Sequence, residues 1–275
     1  MSDVPTFTLN NGSEMPKVGF GVFQIPADET IAAVTTALDA GYRSIDTAAI
    51  YGNEEAVGQA LAQHDVPRDE IFVTTKVWNS EHGRDTTLRA YDASLERLGL
   101  ETIDLYLIHW PSPAKDLYVE TWQTLEELYR DGRVGAIGVS NFNIEHLQRL
   151  IDECEIVPTV NQVKLDPQFQ QRALRAFHDE HDIRTEAWAP LGQGSPLLDD
   201  DVVVEIARAH DVDAGQIALR WSVQHGIVVI PKSVTPSRIR SNLDVFSFDL
   251  TDDEMTRLDG LYQDDRAFDP ADMNF

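Results

Sequence analysis

An acid, a phenol, an amine and an imidazole recur along the first 110 residues, each at or just past the end of a short apolar run. Asp46 closes Tyr42-Arg43-Ser44-Ile45-Asp46. Tyr51 follows in the loop Thr47-Ala48-Ala49-Ile50-Tyr51-Gly52-Asn53-Glu54. Lys76 closes Ile71-Phe72-Val73-Thr74-Thr75-Lys76, and His109 closes Ile103-Asp104-Leu105-Tyr106-Leu107-Ile108-His109. Singly, a lysine or tyrosine at a strand end is ordinarily packing or solvent contact. Together the four make a proton donor. Free tyrosine, with a pKa near ~10, is a weak acid at neutral pH, and a nearby ammonium lowers that value by favouring the phenolate. Lys76 supplies the ammonium, Asp46 keeps it charged and in place, and His109 can donate a hydrogen bond that aims a carbonyl oxygen at Tyr51. No nucleophile is needed, and the ligand spacing of a metal site is missing.

The elements that must position these residues alternate along the chain, as βαβ units of a parallel sheet do. Eight strands are expected, at Val18–Gly21, Ser44–Asp46, Ile71–Lys76, Leu105–His109, Ala136–Ser140, Thr159–Val163, Thr185–Ala189 and Val228–Pro231. Helical patterns lie between them at Thr30–Ala40, Glu54–Gln63, Thr86–Leu98, Val119–Asp131, Ile144–Ile151, Gln171–His181 and Val202–His210. A second helix, Ala214–Gln224, precedes the last strand, and Ser237–Val245 follows it. Glycines close the first and fourth helices at Gly41 and Gly132, and Thr251-Asp252-Asp253-Glu254 is a capping box for one more helix. Side chains gathered at the C-terminal ends of successive strands are how a (β/α)8 barrel, a TIM barrel, builds a site. At 275 residues the chain has that fold's usual size, so a single domain over residues 1–275 is expected. Before the first strand, Phe7-Thr8-Leu9, Asn11-Gly12 and Glu14-Met15-Pro16 read as a β-hairpin whose natural place is a plug over the N-terminal mouth. A doubly wound fold would need a glycine-rich turn after its first strand, but Gln24 stands where the third glycine of Gly19-Phe20-Gly21 would be needed.

Composition narrows the classes of function. Acidic residues number 47 against 22 basic ones, for a formal net charge of −25. Such a surface repels nucleic acid and anionic membranes. It also repels itself at low salt, whereas in ~1 M salt the Debye length shrinks to ~3 Å and that repulsion is screened, so a halophilic, high-salt cytoplasm is the expected setting. No apolar run approaches the ~20 residues of a bilayer span, and the N-terminus has neither a basic nor an apolar signal region, so a cytoplasmic location is expected. Cys154 is the single cysteine, which excludes an internal disulfide and reads as a small packed residue.

Longer stretches carry a resemblance. Gly41-Tyr42-Arg43-Ser44-Ile45-Asp46-Thr47-Ala48 with Tyr51-Gly52-Asn53-Glu54 resembles the first signature of the aldo-keto reductase superfamily. Thr75-Lys76-Val77-Trp78, Asp104 to Pro111, Gly138-Val139-Ser140-Asn141-Phe142, Asn161-Gln162-Val163, Ala189-Pro190-Leu191-Gly192 and Ile230-Pro231-Lys232-Ser233 extend it from the hairpin to about Leu261. The chain is most similar to prokaryotic enzymes of the 2,5-diketo-D-gluconate reductase type. The resemblance implies a carbonyl reductase in which Tyr51 is the general acid, Lys76 and Asp46 tune it, His109 orients the substrate, and a nicotinamide gives a hydride to the carbonyl carbon. It implies monomers, as is frequent among relatives of this length.

The resemblance also implies a cofactor lying across the barrel top, with Ser140, Asn141 and Gln162 on the carboxamide and Trp188 stacked on the nicotinamide. Leu191, Gly192, Gln193, Gly194 and Ser195 would wrap the pyrophosphate. Lys232, Ser233, Val234, Thr235 and Arg238 would hold the adenosine 2′-phosphate, which favours NADPH over NADH, and Asn242 would touch the adenine. Independently, a Lys and an Arg flanking a helix start suit a phosphate. Phe23, Trp78 and Trp110, with His109, would line the pocket for small aldehydes, dicarbonyls or keto-sugars. Each of the three aromatics is equally readable as barrel packing. The short loop from Pro111 to Tyr118 and the acidic tail from Gln263 to Phe275 shape that pocket in the family. Ser241 departs from a usual Glu. Lys164 and Asp166 depart from a usual Glu and His, with altered surface packing as the expected consequence. Two other functions stay open: a cofactor-binding sensor on the same fold, and a barrel hydrolase, for which no Asp/Glu pair is visible at strand ends.

Overall fold

A computed structural model describes residues 4–263. The chain begins with an antiparallel hairpin, β1 (Thr6–Thr8) and β2 (Glu14–Pro16), turning through Gly12 in the left-handed region at φ 86°. Eight parallel strands follow: β3 (Phe20–Gly21), β4 (Ser44–Asp46), β5 (Phe72–Val77), β6 (Ile103–Ile108), β7 (Val134–Ser140), β8 (Val160–Lys164), β9 (Arg184–Trp188) and β10 (Val228–Val229). Each pairs with its neighbour in sequence. The ring closes where Val18 bridges Val229, with Gly19 N–H donating to the Val229 carbonyl at 2.8 Å and Val229 N–H to Lys17 at 3.1 Å. This is the expected (β/α)8 barrel.

Helices α1 (Ala27–Ala40), α2 (Glu54–Gln63), α3 (Arg84–Leu98), α4 (Tyr118–Arg130), α5 (Ile144–Glu153) and α6 (Arg172–Glu180) each follow one strand, from β3 to β8. Both α7 (Asp201–His210) and α8 (Ala214–Gln224) precede β10, with α9 (Pro236–Leu243) and α10 (Asp252–Asp259) after it. Gly41, at φ 110°, caps α1, and Thr251 and Glu254 form the expected capping box of α10. The α2–α3 contact is close: a Cβ on Gly58 would lie 2.3 Å from the Leu98 carbonyl oxygen.

Strand side chains alternate between the two faces. Val73, Tyr106, Ile108, Ile137, Val139, Val163 and Ala187 belong to the large buried cluster shared with the helices. Leu105, Leu107, Ala136, Val160 and Val228 form a second cluster with Leu9 and Met15 of the hairpin. Phe7 lies between the ammonium of Lys17 (4.5 Å) and the guanidinium of Arg184 (4.4 Å). The hairpin is therefore the plug that its sequence suggested, and it seals the N-terminal mouth with apolar side chains.

Candidate active site

Two strand registers bring the acid and the amine together. Asp46 ends β4 opposite Thr74, and Lys76 lies two residues further along β5, on the same inward face. Lys76 is wholly buried, and its Nζ donates to Asp46 Oδ1 at 2.7 Å, Asp46 Oδ2 at 2.8 Å and the Thr47 carbonyl at 2.8 Å. Burial disfavours the ammonium, but Asp46 outweighs burial with help from Tyr51 and Glu186, and the Lys76 pKa stays raised.

Tyr51 is carried by the loop after β4. Asn53, buried beside it, staples that loop to the one after β3. Its Nδ2 donates to the carbonyls of Val22 (3.0 Å) and Ile25 (3.2 Å), and its Oδ1 accepts from Thr47 Oγ1 at 2.9 Å. The Tyr51 ring centroid lies 5.3 Å from Lys76 Nζ and 5.6 Å from the His109 ring, edge to face. Burial raises the phenol pKa, Lys76 lowers it, and burial wins. The ammonium thus acts in the expected direction without setting the net shift.

His109 is 7% exposed, and burial followed by the Lys76 charge holds its pKa well below the usual histidine value. It is a neutral imidazole at pH 7, able to donate one N–H. Trp78 meets its ring at 5.0 Å, and Trp110 stacks at 6.4 Å. Phe23, 47% exposed, packs 4.9 Å from the Tyr51 ring. The three aromatics do gather around Tyr51 and His109, although Trp110 is buried and forms a wall more than a contact surface.

Ser140, Asn141, Gln162 and Trp188 also converge. Ser140 Oγ and Asn141 N–H both donate to the Gln162 carbonyl at 2.9 Å, Asn141 Nδ2 donates to the His109 carbonyl at 3.0 Å, and Trp188 Nε1 donates to Asn141 Oδ1 at 2.9 Å. Asn141 holds this position in the left-handed region at φ 62°, which asparagine tolerates better than most residues. Further round the mouth, Gly192 turns at φ 68°, and a Cβ there would meet Ser195 Oγ at 2.4 Å. Gln193 reaches Gln24 across the top at 3.5 Å, and Leu191 and Asn242 both lie against Gly215. Lys232 and Arg238 are exposed at the start of α9 beside Val234 and the Thr235 cap, with no carboxylate partner among the described residues; Ser233 Oγ accepts from Thr235 N–H at 3.1 Å.

Two expectations need correction. Asp166 is not surface packing: it is buried, and its Oδ1 accepts from Gln168 N–H (2.7 Å) and Phe169 N–H (3.1 Å) to close a turn. Lys164 packs with its ammonium 5.8 Å from the Phe169 ring. Two carboxyl groups do meet inside the barrel: Gln162 Nε2 donates at 2.8 Å to both Asp46 Oδ2 and Glu186 Oε2. Both are buried (2% and 0% exposed), so neither can attack a substrate as a hydrolase pair must. Glu186 went unnoticed in the sequence. Its signal was period two: in Glu186-Ala187-Trp188 it shares the inward face with Trp188. The tail beyond Gln263 lies outside the described residues.

The model of the Aldo/keto reductase family matches residues 17–263. A protein from Mycobacterium sp. (strain KMS) named aldo-keto reductase is 50% identical over 272 residues, covering 98% of each chain. A glyoxal reductase of Bacillus subtilis is 49% identical over 263 residues, covering 95% of this chain and 94% of the relative. Among solved structures, a mutant of Gox0644 in complex with NADPH superimposes with a TM-score of 0.95 at 48% identity over the whole of both chains.

Proposed function

The chain belongs to the aldo/keto reductase family, and from that premise we propose that it reduces small aldehydes and dicarbonyls with NADPH, Tyr51 giving the proton. One observation carries the reading: a phenol, a buried Lys–Asp pair and a neutral imidazole meet at the C-terminal end of the barrel beside an aromatic wall.

The mouth fits a dinucleotide. The Gln162 carboxamide, Ser140 and Asn141 offer hydrogen-bonding groups beside the half-buried Trp188 ring. At Gly192, where a Cβ would clash with Ser195, the bare backbone leaves room for a pyrophosphate to come close to the loop. Lys232 and Arg238 are exposed cations with no carboxylate partner among the described residues of a very acidic protein, at a helix start, where a 2′-phosphate is favoured. NADPH, when bound, supplies the hydride to the carbonyl carbon. As charge builds on the carbonyl oxygen, Tyr51 passes its proton to it and Lys76 steadies the phenolate that remains. Asp46 keeps Lys76 charged through the step. His109 holds the oxygen by an N–H donor already neutral at working pH. In the reverse direction the Tyr51 phenolate takes the proton back.

The test is NADPH oxidation in high potassium chloride against glyoxal-like dicarbonyls, simple aldehydes and keto-sugars, with NADH as control. Turnover that collapses in Tyr51→Phe supports the reading. A folded protein that binds NADPH tightly without turning over any of them points to a sensor. We read the acidic surface as suited to ~1 M salt, where self-repulsion is screened. Unaltered thermal stability in dilute buffer would remove that reading.

A further inference from the structure

Glu186 is an ionisable group that the reduction, as described, does not use. It lies on β9 in register with Gln162 of β8 and is wholly buried. Both hydrogens of Gln162 Nε2 are engaged, one by Asp46 Oδ2 and one by Glu186 Oε2, each at 2.8 Å. Turning that carboxamide over would press its oxygen against the Asp46 carboxylate and take the N–H donor from Glu186 Oε2, so the two contacts together fix which way the amide faces. Glu186 Oε1 is buried with no hydrogen-bond partner among the described residues. A charge on that oxygen is costlier than a hydroxyl in such a place.

Resting on the reductase reading, we propose that Glu186 is a positioning residue of this site: it orients Gln162 toward the cofactor, and its proton sets the charge reaching Tyr51 along Asp46 and Lys76. The titratable groups acting on it are Asp46 from β4 and Lys76 from β5, and it acts in turn on Lys76 and Tyr51. Gln162 of β8 and Val228 of β10 flank it without charge. Burial and then the Asp46 carboxylate push the Glu186 acid up to about 8, against the opposing pull of Gln162 and Lys76. At pH 7 a neutral Glu186 therefore faces the Asp46–Lys76 ion pair. Above about 8 a second negative charge appears, and it raises the Tyr51 pKa. The phenol is then retained for reduction, while the phenolate needed for alcohol oxidation becomes harder to form.

The decisive experiment has two readouts. Infrared titration of the cofactor-free protein from pH 6 to 10, with Glu186→Gln as reference, should show a buried carboxylic acid losing its proton near pH 8 only in the wild type. The pH profile of alcohol oxidation should show a break near 8 in the wild type that Glu186→Gln lacks. Glu186→Leu, which strands one hydrogen of Gln162, should raise the KM for NADPH by ~10-fold. An unchanged break in Glu186→Gln overturns the proposal, as does a wild type in which no carboxyl titrates between pH 7 and 9. The second result needs no variant to fold. Carboxyl titration without any turnover would count against the reductase reading while supporting the buried acid.

Discussion

The two ends of the same barrel interior are built on opposite chemistry. At the N-terminal mouth, Leu9, Met15, Leu105, Leu107, Ala136, Val160 and Val228 fill the space with apolar side chains under the hairpin. At the C-terminal mouth the inward positions of β4, β5, β8 and β9 carry Asp46, Lys76, Gln162, Glu186 and Trp188, with His109 just past the end of β6. The apolar end gains from burial, at about 25 cal/mol per Å². The polar end contains charges whose desolvation nearly cancels their attraction, and it persists because every ion there has a partner. One scaffold thus separates the part that supplies stability from the part proposed to supply chemistry, so a substitution should move one property and spare the other.

The largest separation is expected at Tyr51. Tyr51→Phe removes only the hydroxyl and should lower the reduction rate by ~10²–10⁴-fold, with a thermal midpoint close to the wild type's. Equal losses in rate and stability would erase the distinction between the two ends. Lys76→Met tests the one place where the distinction should fail: Asp46 would be left buried without its cation, at a cost of about 3–5 kcal/mol, and activity should fall as well. Denaturant unfolding beside kinetics measures both. Leu107→Ala, in the apolar layer, should cost about 2–5 kcal/mol and leave kcat at low temperature unchanged. Arg238→Ala should affect neither stability nor kcat appreciably but raise the KM for NADPH several-fold, and the NADH value should not follow. A pH term completes the comparison. The folded state keeps the Glu186 proton between its ordinary value of 4.5 and about 8, whereas the unfolded chain loses it. The Glu186 contribution to stability is therefore full below pH 4.5 and declines as pH rises to about 8. Urea midpoints across that window should fall more steeply for the wild type than for Glu186→Gln.

Much of this was legible along the chain. The strand runs, the Gly41 stop, the Asn11-Gly12 turn and the Thr251 capping box are local patterns with local causes, so the barrel and its plug followed from them. The four reactive side chains stood out because each sits where a strand ends, and strand ends share one face of a barrel. Resemblance supplied the Ser140, Asn141, Gln162 and Trp188 set before any contact among them was known. What no local pattern held was pairing across strands. The meeting of Asp46 and Glu186 on one Gln162 nitrogen joins residues 116 and 24 positions apart. The sealing of Asp166 inside a turn depends on Gln168 and Phe169 folding back over it. The sign of the Tyr51 shift turned on how much water its neighbours exclude, against a single ammonium. Sequence determined which groups stand at the mouth, because periodicity and turn chemistry act over a few residues. Only the closed barrel decided which of them are dry, paired and charged, because desolvation and charge coupling depend on everything packed around a group.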